Sequence, residues 1–294
     1  MIQARNKLIQ EELFEAKKLI DCCQAYDGTY RDPYLSNMLN FDSDMPAFFL
    51  YYEKGELVGL LTVYADDQDV EVTILVHPAH RRQGIARALV TSFERETASF
   101  PIRSVTFQTE RVFLDRHPDF VNNWGLVEDE ETETWLGKDR RPYQLAKLSN
   151  LEVLLADSAY QEQISQLKFQ AFSEEHESRE VVDRYVAEAL KDPESRLYIL
   201  IKDGELIGTC TVDLSTNTNY FYGLAISEPE RGKGYGSYLA KSLVNKLIEQ
   251  NDKEFQIAVE DSNVGAKHLY EKIGFVKQTQ VVYLNEKGAR DSEV

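Results

Sequence analysis

The stretch Arg231-Gly232-Lys233-Gly234-Tyr235-Gly236 separates an apolar segment, residues 219–227, from residues 236–250, whose leucines and valines recur at helical spacing. Glycines at such a turn let backbone N–H groups come close to a ligand. A helix that starts there adds unpaired N–H groups and the positive end of its dipole. The stretch therefore predicts a phosphate-binding turn between a buried strand and a helix, although glycines needed only for a tight turn would give the same pattern.

Two other glycine motifs do not fit this turn. The P-loop string G-x-x-x-x-G-K-[ST] does not occur in the chain. The dinucleotide fingerprint G-x-G-x-x-G fails because Ser237 stands where its third glycine would be. A ribose-binding acid about 20 residues on is also not apparent, since the partner strand begins near Phe255. The turn is thus neither a P-loop nor a dinucleotide-binding loop.

The glycine turn occurs twice in the chain, and so do two other strings. Residues 81–86 resemble residues 231–236 at an offset of 150, while residues 54–59 resemble 203–208 and residues 124–126 resemble 273–275, both at an offset of 149. Three matches in the same order indicate two copies of one domain, each of ordinary domain size. We expect domains at residues 1–140 and 151–294, joined near residues 138–150.

Each copy is typical of an α/β fold. In the second copy the strand and helix signals follow the order β-α-α-β-β-β-α-β-α-β from residue 151 to residue 284. The first copy follows the same order from Phe48, after a helix at residues 8–25 and without a clear opening strand. We therefore expect in each domain a mixed, mostly antiparallel central sheet flanked by helices. The second copy ends early, and we expect the first domain to cover the sheet edge that this leaves.

Composition limits the possible partners. No run of 18 apolar residues and no secretion signal occur, so we expect a cytoplasmic chain that does not enter membranes. The three cysteines and five histidines lack the spacing of a disulfide framework or a metal site, so no metal is expected. The formal net charge of −17 disfavours nucleic acid and either attracts cationic amines or serves solubility alone. The sequence leaves the oligomeric state open.

Both glycine turns resemble the GNAT superfamily of acyl-CoA-dependent N-acyltransferases, which carries R/Q-x-x-G-x-G/A between a strand and a helix. The matching residues are Arg231, Gly234 and Gly236 in the second copy and Arg81, Gly84 and Ala86 in the first. The second copy also matches the family's later string, with Asn263, Ala266, Tyr270, Gly274 and Phe275. The resemblance covers residues 151–284 closely and residues 48–137 more loosely, and it implies a tandem, two-domain member of this family.

The resemblance implies acetyl-CoA as the acyl donor and a small-molecule or peptide amine as the acceptor. CoA would lie where the central strand separates from the strand at residues 255–259. Its pantetheine arm would run along the end of the central strand, and its pyrophosphate would contact the amides of the glycine turn. The implied CoA contacts are Ala225, Ile226, Arg231, Gly232, Lys233, Gly234, Tyr235, Gly236 and Ser237 in the second copy, and Val76, Arg81, Arg82, Gln83, Gly84, Ile85 and Ala86 in the first.

Three residues of the second copy are implied candidates for the chemistry. Tyr270 resembles the family's general acid, which donates to the departing thiolate; packing of its ring alone is the alternative. Asn263 caps the following helix, contacts the pantetheine arm, or does both. Tyr222 holds the position at which some family members carry a glutamate base, and a water chain could end at Tyr222, Glu228 or a loop carboxylate. Residues 174–177 form either an acceptor loop or a solvated charged loop.

The first copy departs from this pattern. Counting back from Gly125, Val121 takes the place of Tyr270 and Leu114 that of Asn263, so a thiolate there would lack its acid. Its glycine turn nevertheless remains strongly basic through three arginines. These residues are Arg81, Arg82 and Arg87. We expect the first copy to bind CoA without chemistry or to act as a structural partner.

Two functions from different classes follow. The first is an N-acetyltransferase that moves an acyl group from the CoA thioester to an amine by direct attack. The alternative is an acyl-CoA-binding pseudoenzyme with a sensing or scaffolding role. Tyr270 and Asn263 favour the enzyme, whereas the missing base and the first copy favour the pseudoenzyme. A transferase with a hydroxyl or thiol acceptor is a third possibility.

Overall fold

The computed structural model describes residues 1–146, 148–172 and 178–287. The chain forms two compact units. The N-terminal unit comprises Met1–Glu133 together with residues 279–287, and the C-terminal unit comprises Thr134–Gln278. Among the helices of these residues, none has both the length and the apolar character that crossing a bilayer requires.

The first half of the chain contains six strands and four helices in its described residues. The strands are β1 (Ile2–Arg5), β2 (Phe48–Glu53), β3 (Glu56–Tyr64), β4 (Asp69–Val76), β5 (Ser104–Glu110) and β6 (Leu126–Lys138). The helices are α1 (Gln10–Asp27), α2 (Ile85–Thr97), α3 (Arg111–Arg116) and α4 (Phe120–Trp124).

The described residues of the second half also contain six strands and four helices, but two helices follow its first strand and one follows its fifth, where the first half has one and two. Its strands are β7 (Leu151–Leu155), β8 (Ser195–Lys202), β9 (Glu205–Asp213), β10 (Thr218–Ile226), β11 (Glu254–Glu260) and β12 (Val276–Glu286). Its helices are α5 (Gln161–Phe172), α6 (Arg179–Lys191), α7 (Tyr235–Ile248) and α8 (Val264–Lys272).

The sheet of each unit is antiparallel except at one pair of strands. In the N-terminal unit the order is β1-β2-β3-β4-β5, and β4 and β5 run parallel. In the C-terminal unit the order is β11-β10-β9-β8-β7, and β10 and β11 run parallel. Helices contact both sheets: α1 and α2 pack on β3, and α5 and α7 pack on β9 and β10. The predicted α/β fold with a mixed, mostly antiparallel sheet is therefore confirmed in both units.

Two long strands pass from one unit into the other. The end of β12 pairs with β5 in the N-terminal unit, with Val281 opposite Glu110. The end of β6, from Thr134 onward, lies beside β11 in the C-terminal unit. The units therefore differ from the predicted ranges 1–140 and 151–294 at these strands. No turn signal interrupts either strand in the sequence, so the sequence does not show where one unit ends and the other begins.

The opening of the N-terminal unit also differs from the prediction. Ile2–Arg5 forms β1, which pairs antiparallel with β2. The expectation of no opening strand was wrong because the four residues IQAR carry too short an alternation to give a strand signal. The pairing across to β2 stabilises β1, and that pairing is a tertiary contact that local sequence does not contain.

The cores follow the predicted patterns. On α7, Leu239, Leu243, Val244 and Leu247 are fully buried on one face. The hairpin between β8 and β9 turns at Asp203-Gly204, where both residues have positive φ values of 51° and 89°. The equivalent turn of the N-terminal unit, Lys54-Gly55, has the same backbone. These turns fix the register between the two strands of each hairpin. The second strand of the hairpin, β3 or β9, then pairs with the central strand of its unit, β4 or β10.

Candidate active site

In both units the two parallel strands separate after a short paired stretch. β10 pairs with β11 from Thr218 to Phe221, and β4 pairs with β5 from Asp69 to Val72. Beyond these residues each central strand has no partner residue on its parallel neighbour. An extended, hydrogen-bonding ligand can therefore add to β10 at residues 222–226, as a peptide adds to the edge of a sheet.

The central strand of the C-terminal unit contains a bulge. In its pairing with β9, Tyr222 lies opposite Thr211 and Ala225 lies opposite Thr209. Two residues of β10, Gly223 and Leu224, therefore lie opposite a single residue of β9, Cys210. A bulge leaves the extra residue unpaired and turns the strand. Gly223 has a φ of 57°, in the left-handed region that favours glycine. The bulge thus leaves backbone groups unpaired at the place where β10 and β11 separate.

The central strand of the N-terminal unit has no bulge. Thr73 lies opposite Thr62 and Leu75 lies opposite Leu60 in unbroken register. Gly223 is therefore an extra residue of the second copy. It accounts for the change of the repeat offset from 149 before the central strand to 150 at the glycine turn.

The glycine turn of the C-terminal unit has the backbone that an anion site needs. Gly232 and Gly234 have φ values of 74° and 87°, and a Cβ built on either would meet no atom within 4 Å. Gly234 precedes α7 and makes no side-chain hydrogen bond to the helix amides. The first N–H groups of α7 are therefore left for a ligand, and the helix dipole favours a negative charge there.

Several predicted contacts of this turn have partners within the protein. Arg231 donates from Nε to the Ile226 carbonyl at 3.0 Å, which fixes the turn to the end of β10. Lys233 forms an ion pair at 3.2 Å with an acidic residue of the same turn. Gly236 is buried inside α7, and a Cβ there would lie 3.0 Å from Leu269 on α8, so it permits helix packing. The other predicted contacts lie at the end of β10 and in the first turn of α7, namely Ala225, Tyr235 and Ser237.

The turn of the N-terminal unit repeats this backbone but not its charge. Arg81 donates from Nε to the Val76 carbonyl at 3.0 Å, as Arg231 does to Ile226. Its two terminal nitrogens bind the Asp27 carboxylate at 2.7 and 2.5 Å, and that side chain is 6% exposed. The prediction of a strongly basic turn needs correction, because a buried carboxylate neutralises one of its arginines.

The other residues of the N-terminal turn are placed as follows. Arg82 is exposed and has a φ of 61°, at the place where Gly232 has 74°. Gly84 precedes α2 with a φ of 82° and open space around it. Arg87 faces the Trp124 ring, with its guanidinium carbon 5.8 Å from the ring centroid. Of the remaining predicted contacts, Gln83 is exposed, Ile85 is buried and Ala86 is half-buried.

Tyr270 lies on α8 in the core of the C-terminal unit. It is 6% exposed, and its ring centroid is 6.2 Å from that of Phe275. Burial raises the pKa of its hydroxyl above the ordinary value, and the neighbouring Cys210 adds to the rise. The hydroxyl therefore stays protonated and can donate. Asn263 accepts a hydrogen bond from the Ala266 amide at 3.0 Å and so caps α8, as predicted.

Tyr222 lies on the opposite face of the sheet from Tyr270. Phe221 packs in the core that contains Tyr270, and neighbouring residues of a strand point to opposite faces. The Tyr222 ring is half-buried and stacks on Tyr220 at 6.0 Å, which in turn stacks on Trp135 at 5.1 Å. The two candidate tyrosines therefore flank the strand from its two sides.

The N-terminal unit contains a cavity of about 750 Å³. It is lined by α1, β4, β5, the glycine turn and the helices α3 and α4. Its wall on the α3 and α4 side is aromatic, with Phe113, Phe120 and Trp124, while Arg31 and Glu110 contribute charged groups. The volume lies in the range of cofactor sites.

The catalytic positions of the C-terminal unit have no counterpart beside this cavity. Val121 lies on α4 and Leu114 is buried on α3, so neither brings a hydroxyl or an amide. Instead the central strand carries a half-buried carboxyl, Glu71. Burial raises its pKa to about 7, although Arg31 and the hydrogen bond from Gln108 oppose the rise.

Sequence reasoning missed two residues of the C-terminal site. Gly223 had a signal in the one-residue change of the repeat offset. Lys168 had none, because a lysine on a helix usually faces solvent. It is 7% exposed on α5, and its Nζ donates to the Thr211 hydroxyl at 3.1 Å. Residues 174–177, the predicted acceptor or solvated loop, lie outside the described residues.

Known proteins similar in sequence carry related names. A mycothiol acetyltransferase from Clavibacter sepedonicus is 28% identical over 230 residues, which cover 74% of this chain and 73% of that protein. A second, from Clavibacter michiganensis, is 27% identical over 274 residues, which cover 88% of this chain and 86% of that protein. These relatives span most of both copies or nearly the whole chain.

Solved structures share the fold at lower identity. A GCN5-related N-acetyltransferase from Sphaerobacter thermophilus has a TM-score of 0.72 and 17% identity, and the match covers 97% of this chain and 94% of that chain. A tandem GNAT protein from the clavulanic acid biosynthesis pathway has a TM-score of 0.67 and 17% identity, with 97% and 98% covered. The model of the acetyltransferase (GNAT) family matches twice, at residues 13–139 and 161–275. With both copies matched, the chain belongs to the acetyltransferase (GNAT) family and is a tandem, two-domain member of it.

Proposed function

We propose that this protein is an N-acetyltransferase whose C-terminal unit transfers an acetyl group from CoA to an amine by direct attack, with Tyr270 as the general acid. One observation carries the proposal: the C-terminal unit combines the open end of β10, the unpaired amides at the start of α7 and the buried Tyr270. A phosphate site, an edge for an extended chain and a proton donor therefore occur in a single unit.

The donor binds through backbone groups more than through charge. The amides from Gly232 to Ser237 hold the pyrophosphate, since the dipole of α7 and the two left-handed glycines favour an anion there. Ala225 and Ile226 hydrogen-bond the pantetheine arm as an added strand. Arg231 acts mainly by fixing the turn to β10. This places the thioester beside the bulge.

The reaction needs no covalent acyl-enzyme intermediate. The amine nitrogen bonds to the acyl carbon, the carbonyl electron pair moves to the oxygen, and collapse of the tetrahedral intermediate breaks the C–S bond. Unpaired backbone groups at the bulge stabilise the oxyanion. The thiolate then receives a hydrogen bond, and finally a proton, from the Tyr270 hydroxyl. At ordinary pKa values this proton transfer is already uphill by roughly 2 kcal/mol, and burial raises the pKa of Tyr270 further. The hydrogen bond to the developing thiolate is therefore the larger contribution.

The amine must lose one proton as it attacks. The face of β10 opposite Tyr270 carries Tyr222, whose hydroxyl can end a water chain that takes this proton to solvent. Asn263 contributes mainly as the cap of α8, the helix that carries Tyr270. An amine that approaches from the Tyr222 face attacks the carbonyl on the side away from the acid.

The acyl group and the acceptor class rest on the relatives. Two similar proteins are named mycothiol acetyltransferases, and a third, 29% identical over 92 residues, is named a ribosomal protein alanine N-acetyltransferase. These names support acetyl as the acyl group and a small-molecule or peptide amine as the acceptor.

The cavity of the N-terminal unit favours a second role for that half of the chain. It combines the volume of a cofactor site with an uncapped glycine turn, and Val121 replaces the acid. The N-terminal unit would then bind acyl-CoA without turning it over. If no amine were acetylated, this binding would remain as a sensing function.

The test is free-thiol release from acetyl-CoA with a panel of amines, for the wild type and for Tyr270→Phe. We expect release with at least one amine, and a fall of about 10²–10⁴ in kcat for Tyr270→Phe with little change in acetyl-CoA affinity. Val121→Ala is the matched control and should leave kcat unchanged. Equal kcat for Tyr270→Phe and the wild type would contradict the role of Tyr270, and no release with any amine would leave only the binding function.

A further inference from the structure

A buried lysine lies beside the bulge of the C-terminal unit. Lys168 is 7% exposed on α5. Its Nζ donates to the Thr211 hydroxyl at 3.1 Å and lies 5.6 Å from the centroid of the Tyr222 ring. A Cβ built on Gly223 would lie 2.5 Å from the same nitrogen. The amine therefore occupies the space directly over the bulge glycine.

The position of Lys168 defines one side of the candidate reaction centre. Lys168 contacts the face of β10 that carries Tyr222. Phe221 points to the opposite face, into the core that contains Tyr270. An acyl carbonyl held at the bulge would thus have the tyrosine acid on one side of the strand and the lysine amine on the other.

The bulge and the buried amine occur in the same unit. In the N-terminal unit, β4 runs in unbroken register. The buried residues of α1, all of whose positions are described, include no basic side chain. The lysines of that helix, Lys17 and Lys18, are exposed. The unit that lacks the tyrosine therefore lacks the bulge as well, and the cation at its central strand is Arg31, which donates to the Thr73 hydroxyl at 3.0 Å.

A cation at this place acts on the transition state more than on the ground state. The acyl oxygen gains its negative charge only as the amine attacks, so a fixed positive group nearby lowers the barrier. The Lys168 amine also opposes the rise that burial gives to the pKa of the Cys210 thiol. The positive charge of Lys168 also repels an incoming ammonium group. It therefore favours the neutral form of the acceptor amine, which is the nucleophile.

We propose that Lys168 is a further catalytic residue, whose amine stabilises the oxyanion of the tetrahedral intermediate together with the backbone of the bulge at Gly223. Lys168 gives up no proton in this step: the carbonyl electron pair moves to the oxygen beside the amine and returns when the C–S bond breaks. This inference rests on the proposed function, since it needs the acetyl group at the bulge.

The test measures polarisation of the thioester directly and needs no acceptor. Infrared difference spectra of acetyl-CoA labelled with ¹³C at the carbonyl are recorded bound to the wild type, Lys168→Met and Lys168→Arg. We expect a bound carbonyl band below the frequency of free acetyl-CoA, a return toward the free value in Lys168→Met, and most of the shift retained in Lys168→Arg. With an acceptor, kcat of Lys168→Met should fall by about 10²–10³ while the Kd for acetyl-CoA changes only a few-fold.

Lys253→Met is the control, because Lys253 is a half-buried lysine that donates to backbone carbonyls away from the bulge. It should leave the carbonyl band and kcat unchanged. Circular dichroism checks the fold, and Lys168→Gln replaces the Met variant if the latter is unfolded. A band that is the same in the wild type and the uncharged variant overturns the role of Lys168 alone. No bound band in the wild type overturns the proposed function, and the role of Lys168 with it.

Discussion

The two units share a backbone and differ in the side chains that chemistry needs. Both contain separating parallel strands, a glycine turn and an arginine that ties the turn to the central strand. The C-terminal unit adds Gly223, Tyr270 and Lys168 around the opening. The N-terminal unit pairs its arginine with Asp27 and has Val121 in place of the tyrosine. The comparison teaches that an anion site can persist on this fold without the groups for transfer.

Among the variants that compare the two central strands and turns, the largest effect is expected from a substitution that disfavours the bulge of the C-terminal unit. In Gly223→Ala the new Cβ would collide with the Lys168 amine at 2.5 Å and sit at a φ of 57°. We expect kcat to fall by about 10²–10³, because the oxyanion loses its stabilising groups. Steady-state kinetics with the best amine measures this.

The comparison in the regular central strand is Ile74→Ala, just after the point at which the second copy inserts Gly223. We expect it to leave kcat within a factor of a few, since β4 has no bulge at that place. A similar loss of kcat in both variants would mean that the bulge has no special part in the reaction.

The second effect concerns the pH dependence of stability that Glu71 gives to the N-terminal unit. Burial raises the pKa of Glu71 in the folded N-terminal unit to about 7 from 4.5. The folded state then binds more protons than the unfolded state between these values, so stability falls as pH rises from about 4.5 to 7. The loss is about 3 kcal/mol at 1.36 kcal/mol per unit. Glu71→Gln should lack this loss.

Denaturant unfolding from pH 4.5 to 8 measures the difference between the wild type and Glu71→Gln. Glu56→Gln, at an exposed carboxylate, is the control and should follow the wild type. A constant difference between the wild type and Glu71→Gln across this range would contradict the burial of a titrating carboxyl on β4.

The smallest effect concerns the glycine turns. Arg82 adopts a φ of 61°, where the other unit has glycine at 74°. A left-handed conformation costs a non-glycine residue about 1–2 kcal/mol. Substitution by glycine removes this cost, but glycine loses more conformational entropy on folding, which offsets part of the stabilisation. Arg82→Gly should therefore stabilise the protein by roughly 0.5 kcal/mol.

The reciprocal change, Gly232→Arg, should destabilise by a similar amount, roughly 0.5 kcal/mol. Thermal unfolding of both variants against the wild type measures the pair. Changes of the same sign would show that the two turns do not share one backbone conformation.

The sequence predicts most of the C-terminal unit because its signals are local. Helix periodicity, the Asp203-Gly204 hairpin and the glycine turn each depend on residues close together in the chain, and the structure has all of them. The cap at Asn263 is confirmed for the same reason. The sequence also shows that Val121 stands in place of Tyr270.

The rest depends on contacts between distant residues. β1 exists through its pairing with β2, and Asp27 meets Arg81 across 54 positions of sequence. The burial of Lys168 depends on how α5 packs on the sheet. The passage of β6 and β12 between units carries no local signal, because each is a continuous strand. Such features follow from tertiary packing, which composition and spacing do not specify.

One pair of variants tests most directly whether transfer is confined to the C-terminal unit. Gly234 and Gly84 occupy the same position before α7 and α2, with φ values of 87° and 82° and no atom within 4 Å of a built Cβ. Aspartate tolerates this backbone and would repel a phosphate by several kcal/mol. We expect Gly234→Asp to lower kcat/KM for acetyl-CoA by about 100-fold or more and Gly84→Asp to leave it unchanged. The opposite pattern, or equal losses in both variants, would contradict a single catalytic unit.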